Sequence, residues 1–183
     1  TNTGPGRLPF PTREQTILPG NLTDDFTTDL AARGDEFVFT YVGADGKLQY
    51  RLKPETGTWS DITAKWEGRG EAFQPCVDGG VYLQTDDGPT APDSFKLLGT
   101  EALDDGARMT WQVSAGEVSA EVEYVYHLWG KSLVIDTICP GGVVAEVRYG
   151  HAEGLDNPRV VTNPYYHYNS KGRPAVAVTG PAS

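Results

Sequence analysis

The stretch from residue 107 to residue 149 constrains the fold of this chain more than any other. Short turns at Ala115-Gly116, Gly130-Lys131 and Pro140-Gly141-Gly142 divide it into four segments. In the first two segments every second residue is apolar, at Met109, Trp111, Val113, Val118, Ala120, Val122, Tyr124, Tyr126 and Leu128. A period of two between turn residues is typical of half-buried antiparallel strands. The stretch therefore predicts four consecutive strands, the last two at Ser132–Ile138 and Val143–Tyr149.

Much of the remaining sequence repeats this pattern. Further strands are predicted at Asp35–Val42, Leu48–Lys53, Gly80–Thr85, Ser94–Leu103, Arg159–Thr162 and Ala175–Thr179. The segment Trp59–Trp66 predicts either a whole strand or a strand joined to an irregular crossing. Glu67–Gly80, Asp86–Asp93 and His151–Pro158 are rich in glycine or polar residues and are predicted to be loops. About ten or eleven short strands favour an all-β fold, an antiparallel two-sheet β-sandwich.

The N-terminal part of the chain differs from the rest. A single domain is expected for 183 residues. We predict that residues 1–34 form an extended N-terminal lead-in, because the first part is rich in proline, and that residues 35–183 form the β-sandwich domain. Within the lead-in, Asp24–Arg33 is the one helix-like segment, and its length is marginal for a helix.

The charge of the chain narrows the classes of partner. With 25 acidic and 15 basic residues the formal net charge is −10, so a phosphate backbone would be repelled and no nucleic-acid partner is expected. No apolar run approaches the roughly 20 residues of a spanning helix, and no basic amphipathic helix is present, so no membrane partner is expected either. The sequence begins TNTGPG without Met, which suggests a processed N-terminus.

Residues suited to catalysis or metal binding are few and scattered. His127 alternates with apolar side chains in a predicted strand, whereas His151 and His167 follow in predicted loops, and no two of them have zinc-site spacing. Calcium-loop and nucleophile-elbow motifs are missing as well. We therefore predict no metal, no cofactor and no catalytic residue. Cys76 and Cys139 either form one disulfide or remain separate buried thiols.

Paired carboxylates occur at Asp86-Asp87 and Asp104-Asp105, in each case beside a glycine. Aspartate is favoured in turns because its side chain bonds to the nearby backbone, so these pairs are predicted to be turn residues. A glycosidase would need two carboxylates that face each other across its substrate, which spacing in the sequence does not reveal.

Aromatic residues in or beside loops are the candidates for ligand contact. They are Trp59, Trp66, Tyr165, Tyr166 and Tyr168. A flat apolar ring with a polar edge suits the C–H face of a sugar, so we predict that these residues contact carbohydrate. Packing in the core, or against a neighbouring domain, is the alternative for the same rings.

Three phrases of the sequence carry a family resemblance. Residues 124–150, YVYHLWGKSLVIDTICPGGVVAEVRYG, resemble part of the galactose-mutarotase-like β-sandwich, or supersandwich. Residues 50–68, YRLKPETGTWSDITAKWEG, and 157–178, NPRVVTNPYYHYNSKGRPAVAV, resemble the same kind of accessory domain, which often precedes the catalytic domain of bacterial glycoside hydrolases and polysaccharide lyases. The His and Glu of the true aldose epimerases in that superfamily have no matching positions here.

The resemblance implies a non-catalytic accessory domain of a secreted or periplasmic bacterial carbohydrate-active enzyme. Its partner would be a carbohydrate or an adjoining catalytic domain, and it would support that domain or its substrate cleft. Two alternatives stay open. A free-standing carbohydrate-binding module would array exposed Trp or Tyr rings on one face. A sugar epimerase or hydrolase would place His127 or His151 opposite a carboxylate in a pocket.

Overall fold

The computed structural model describes residues 25–155 in full, together with the backbone of two further strands at 158–162 and 176–181. Antiparallel strands dominate, and the helical structure in this part of the chain is one 3-10 turn, Trp59–Asp61. The strands are β1 (Phe26–Arg33), β2 (Glu36–Gly43), β3 (Gly46–Leu52), β4 (Ile62–Trp66), β5 (Arg69–Val77), β6 (Gly80–Thr85), β7 (Gly88–Thr90), β8 (Ser94–Ala102), β9 (Gly106–Ala115), β10 (Val118–Trp129), β11 (Ser132–Ile138), β12 (Val144–Arg148), β13 (His151–Glu153), β14 (Pro158–Thr162) and β15 (Val176–Pro181). The predicted all-β, sandwich-like fold is confirmed.

The strands are distributed over four sheets. A six-stranded sheet has the order β1-β2-β3-β4-β5-β13, a four-stranded sheet the order β11-β10-β9-β8, and a three-stranded sheet the order β12-β6-β7. The strands β14 and β15 pair with each other. The layer opposite the four-stranded sheet is therefore divided between two sheets, where the sequence predicted a simple two-sheet sandwich.

One apolar core joins the first three sheets. Alternation along β9 and β10 buries one face of each strand, at Ala107, Met109, Trp111, Val113, Ala115, Ala120, Val122, Tyr124 and Tyr126. The six-stranded sheet contributes Phe37, Phe39, Leu52 and Ile62 to the same cluster, and the three-stranded sheet contributes Val81 and Leu83. The strict period of two that identified these strands in the sequence is thus the pattern that fills the core.

The segment predicted to be helix-like is a strand. Residues 26–33 pair along their full length with β2, from Phe26 opposite Gly43 to Arg33 opposite Glu36. Leu30 lies opposite the buried Phe39 and packs against the core. The helical prediction is wrong because pairing with a buried strand overrides a weak local preference. The six-stranded sheet accordingly begins before residue 35, while residues 1–24 lie outside the described residues.

All three predicted loops contain strands. In Asp86–Asp93 it is the short strand β7, which pairs with β6. β5 occupies most of Glu67–Gly80, and β13 follows at the start of His151–Pro158 and pairs with β5. The register of β5 shifts against both of its neighbours, and Pro75 lies within it, so the alternation that marks a regular strand is blurred. The ambiguous segment Trp59–Trp66 is a 3-10 turn followed by a strand.

Candidate functional site

A cleft of about 270 Å³ opens beside Asp78 and Gly79, which connect β5 of the six-stranded sheet to β6 of the three-stranded sheet. It is lined by Gly57, Thr58, Asp78, Gly79, Gly80, Val81, Tyr82, Ala91, Pro92 and Phe95. Because three of these residues are glycine, peptide groups form much of its wall. A concave surface with apolar side chains and a few polar groups is the usual form of a small-ligand site.

Unusual backbone conformations shape this wall. Asp78 has a φ of 59° and is the non-glycine residue with positive φ in the described part of the chain. Aspartate tolerates this conformation better than most residues, and the backbone N–H of Asp78 donates to Ser60 Oγ at 3.0 Å. The next residue, Gly79, lies so close to the carbonyl of Tyr149 that a Cβ would be 2.8 Å from that oxygen. Residues in such conformations are concentrated at functional sites.

The carboxylate of Asp61 organises the loop that supplies Gly57 and Thr58. It accepts backbone N–H bonds from Glu55 at 3.0 Å, Thr56 at 3.0 Å and Gly57 at 3.2 Å. The hydroxyl of Thr56 also donates to it, at 2.8 Å. A single side chain thus satisfies the donors of a whole turn and holds this side of the cleft in place.

Replacement of Asp61 by Asn is expected to lower the free energy of unfolding by about 2 kcal/mol, because hydrogen bonds to a charged acceptor are strong and the new amide group would face donors. Urea denaturation would measure the change. Asp86→Asn is the matched control, since the Asp86 carboxylate makes no hydrogen bond to any described residue, and it should change stability by less than about 0.5 kcal/mol. Equal effects of the two substitutions would contradict this role of Asp61.

An arginine lies on one aromatic ring of the cleft. The guanidinium carbon of Arg148 is 3.8 Å from the centre of the Tyr82 ring, a cation–π contact. Arg148 Nε donates to Glu146 Oε2 at 2.7 Å, and this bond raises the pKa of Arg148. Arg148 is opposite Gly80 in the β12–β6 ladder. The pairing of these strands therefore holds a charged donor at the edge of the cleft.

Tyr149 follows Arg148 and is the most exposed large apolar side chain in the described part of the protein, at 80%. Its ring centre is 6.2 Å from that of Trp59, with an angle of 44° between the planes. We call Tyr82, Arg148 and Tyr149 the Tyr149 rim. The rim presents an open aromatic ring and a guanidinium next to a wall of peptide groups.

Trp59, a residue predicted to contact sugar, lies in the core. It is 2% exposed, and its ring makes an edge contact with Tyr124 at 6.0 Å. Its backbone N–H donates to Gly79 O at 2.9 Å. Trp59 therefore follows the packing alternative and supports the cleft from below, where its ring is closed to a ligand.

Trp66 is half-buried at the end of β4. The guanidinium of Arg69 and the ammonium of Lys131 lie 5.2 and 5.9 Å from the centre of its ring. Lys131 Nζ is also 2.6 Å from Asp45 Oδ2. The ring thus lies among charged side chains from separate hairpins, a position that suits packing between hairpin tips. The other predicted contacts, Tyr165, Tyr166 and Tyr168, lie outside the described residues.

The two histidines in the described range each face a carboxylate outside the cleft. His127 Nδ1 is 3.8 Å from Asp136 Oδ2, and His127 is a partly buried residue of the sheet, as predicted. His151 Nε2 is 2.8 Å from Glu153 Oε1, and both side chains are more than half exposed. Neither histidine lines the cleft.

Two other clefts contain the predicted carboxylate pairs. One of about 510 Å³ borders the β6–β7 turn with Asp86-Asp87, and one of about 150 Å³ borders the β8–β9 turn with Asp104-Asp105. Both pairs lie in turns between strands, as predicted.

Within the described ranges, no group of three or more His, Cys, Asp or Glu side chains is arranged to hold a metal ion. Cys76 and Cys139 are both free and half-buried, so they are the separate thiols of the second alternative.

Sequence reasoning missed the rim. Arg148 and Tyr149 were predicted as part of an ordinary strand, and Tyr82 as part of another. The signal that could have drawn attention to Tyr149 is its place directly before Gly150, at the end of a strand, where a side chain is less often covered.

Comparison with protein-family models, with curated proteins and with solved structures found no match for this chain. Among the described residues, no helix has the length and apolar character needed to cross a bilayer.

Proposed function

We propose that this chain is a non-catalytic accessory domain of a secreted bacterial carbohydrate-active enzyme, and that its cleft and the Tyr149 rim form one wall of a glycan-binding surface. The observation that carries the proposal is Tyr149, an aromatic ring left 80% exposed beside a concave wall. An amphipathic aromatic ring beside a concave wall is a usual form of ligand contact.

The chemistry of the rim suits a sugar. The face of the Tyr149 ring can stack on the C–H groups of a pyranose, while Arg148 offers N–H donors to hydroxyl groups. The carboxylate of Asp78 and the peptide groups of the glycines supply acceptors and further donors. These groups are spread along an open surface, which favours a segment of a polymer over a small molecule held in a closed pocket.

The accessory role is supported by the resemblance of residues 124–150 to the galactose-mutarotase-like sandwich. The segment contains β10, β11 and β12, and the last two rim residues lie at its end. In this role the chain contributes one wall, and the adjoining catalytic domain contributes the other. Glycan affinity of this chain by itself is then expected to be weak.

Titration of the purified chain with soluble plant, algal and host polysaccharides would test the proposal. Tryptophan emission is a suitable readout, because Trp59, one of the four tryptophans, has its ring next to that of Tyr149. We expect one polymer to cause a saturable change, and Tyr149→Ala to weaken that binding about tenfold, since an aromatic contact contributes about 1–1.5 kcal/mol. Tyr149→Phe keeps the ring and should bind almost as well as the parent chain.

Ile138→Ala is the matched control, because Ile138 is exposed (45%) at the end of β11 and is not part of the cleft or its rim. If Tyr149→Ala and Ile138→Ala bind equally, the rim is not the binding surface. The size of the dissociation constant separates the accessory domain from its alternative. A dissociation constant near 1 mM or weaker fits one wall of a shared cleft, whereas one near 1 μM would favour a free-standing carbohydrate-binding module. The exposure of Tyr149 also favours that second candidate.

A further inference from the structure

Strand β8 is an edge of the four-stranded sheet within the described residues, and it pairs there with β9 alone. All its residues except Phe95 are exposed. Leu97 and Leu98, in the middle of the strand, are 37% and 46% exposed. A long edge with exposed apolar side chains is a template for pairing with another strand.

The charges of β8 are placed symmetrically about its centre. Lys96 lies opposite Gln112 and Glu101 lies opposite Arg108, and both partners alternate with buried residues of β9, so the two charges share the outer face of the sheet. Residues five apart normally point to opposite faces. The register shift between Leu97 and Gly99 inserts one extra residue and brings the two charges to one face.

We infer that β8 pairs with β8 of a second copy of this chain, antiparallel, about a two-fold axis between Leu98 and Gly99. In that register Lys96 of each copy lies opposite Glu101 of the other, so the strand is complementary to itself in charge. An axis normal to the sheet keeps both charges on the outer face and covers Leu97 and Leu98 of both copies. This is the isologous geometry of most homodimers.

The charges available in the free chain fit this pairing. Lys96 makes no ion pair with any described residue, whereas Glu101 Oε2 is 2.7 Å from Arg108 Nη1 and its side chain is still 57% exposed. Glu101 can therefore receive a second cation without losing the first. Two copies with a net charge of −10 each repel, so close association requires local attraction of this kind.

Sedimentation velocity of the full chain over a range of concentrations would test the inference. The parent chain should dimerise, and Lys96→Glu should raise the dimer dissociation constant at least about tenfold more than Lys65→Glu does. The control makes the same change of net charge at an exposed position of β4, away from the edge. Hydrogen exchange should show that β8 amides become protected as the protein concentration rises.

Three results would overturn the inference. The chain could remain monomeric at every concentration, which would give the extra residue at Leu98 the opposite role of protecting the edge from pairing. The two charge variants could weaken a dimer equally, which would place the interface elsewhere. Protection of β8 amides in a monomer would show that a segment of the same chain covers the edge. Circular dichroism of both variants would confirm that they are folded.

Discussion

Replacement of Gly150 by Ala is expected to destabilise the folded chain by about 4 kcal/mol or more, a loss comparable with the entire stability of many domains. Gly150 has a φ of 72°, which an L side chain adopts at a cost of about 1–2 kcal/mol. In addition, its Cβ would lie 2.1 Å from the carbonyl oxygen of Val77 and 2.6 Å from the backbone N of Gly79. These are backbone atoms where the chain passes from β5 to β6, so rotation of a side chain does not relieve the overlap.

Gly142→Ala separates the two causes of this loss. Gly142 has a similar φ of 65°, but nothing lies within 4 Å of the position of its Cβ. The control should therefore lose about 1–2 kcal/mol, the conformational term alone. Thermal and urea unfolding of both variants would measure the difference. Similar losses in the two variants would mean that the connection between β5 and β6 shifts easily enough to make room for the new Cβ.

The folded chain is expected to lose roughly 5 kcal/mol of stability between about pH 10 and about pH 12. Burial raises the pKa of Tyr50 to about 12 and that of Tyr124 to about 12, above the usual value near 10. Below pH 10 both hydroxyls are protonated in the folded and unfolded chain, so this stability is fully present. Above pH 10 the unfolded chain ionises first, and each group removes about 1.4 kcal/mol per pH unit. Burial also raises the pKa of Tyr126, which deepens the loss.

Urea unfolding at a series of alkaline pH values would measure this slope. Tyr124→Phe should reduce it by one group, although the variant starts from lower stability because Tyr124 Oη accepts the Val81 N–H at 3.3 Å. Tyr149→Phe is the matched control, because it removes the hydroxyl of a tyrosine whose side chain is 80% exposed. A flat profile up to pH 12 would show that water reaches the buried hydroxyls.

The part of the fold that the sequence predicted best is the part with the strictest alternation. β9 and β10 pair in a long ladder, and their burial follows the period of two closely enough to be visible without a structure. The failures, β1 and β5, have a different cause. β1 is a strand because its neighbour β2 is buried, and β5 is shifted on both sides, so neither has a regular local pattern. The relation to the galactose-mutarotase-like family stays a prediction, because many families share a sandwich.

The candidate site was less accessible to sequence reasoning. The position of Trp59 beside a predicted loop favours ligand contact, but the chain also enters its core at this point, where the backbone N–H of Trp59 donates to Gly79 O. The exposure of Tyr149 depends on where the three-stranded sheet ends and on what the adjacent crossing leaves uncovered. Both depend on contacts between residues about 70 positions apart in the chain, which no local pattern contains.

The two adjacent connecting segments, Asp78-Gly79 and Tyr149-Gly150, bear on how the sheets can move relative to each other. The first segment leads from β5 of the six-stranded sheet to β6 of the three-stranded sheet, and the second leads back from β12 to β13. No described strand ladder bridges these two sheets. The six-stranded and the three-stranded sheet therefore both pack on the four-stranded sheet and are connected to each other through two short segments that contain glycine. Tyr149 lies in the second of these segments. The cleft is lined by Gly57 and Thr58, which connect two strands of the six-stranded sheet, and by β6 of the three-stranded sheet. Under the proposed function, the angle between the two sheets would therefore set the width of the cleft and the thickness of the polymer that fits it.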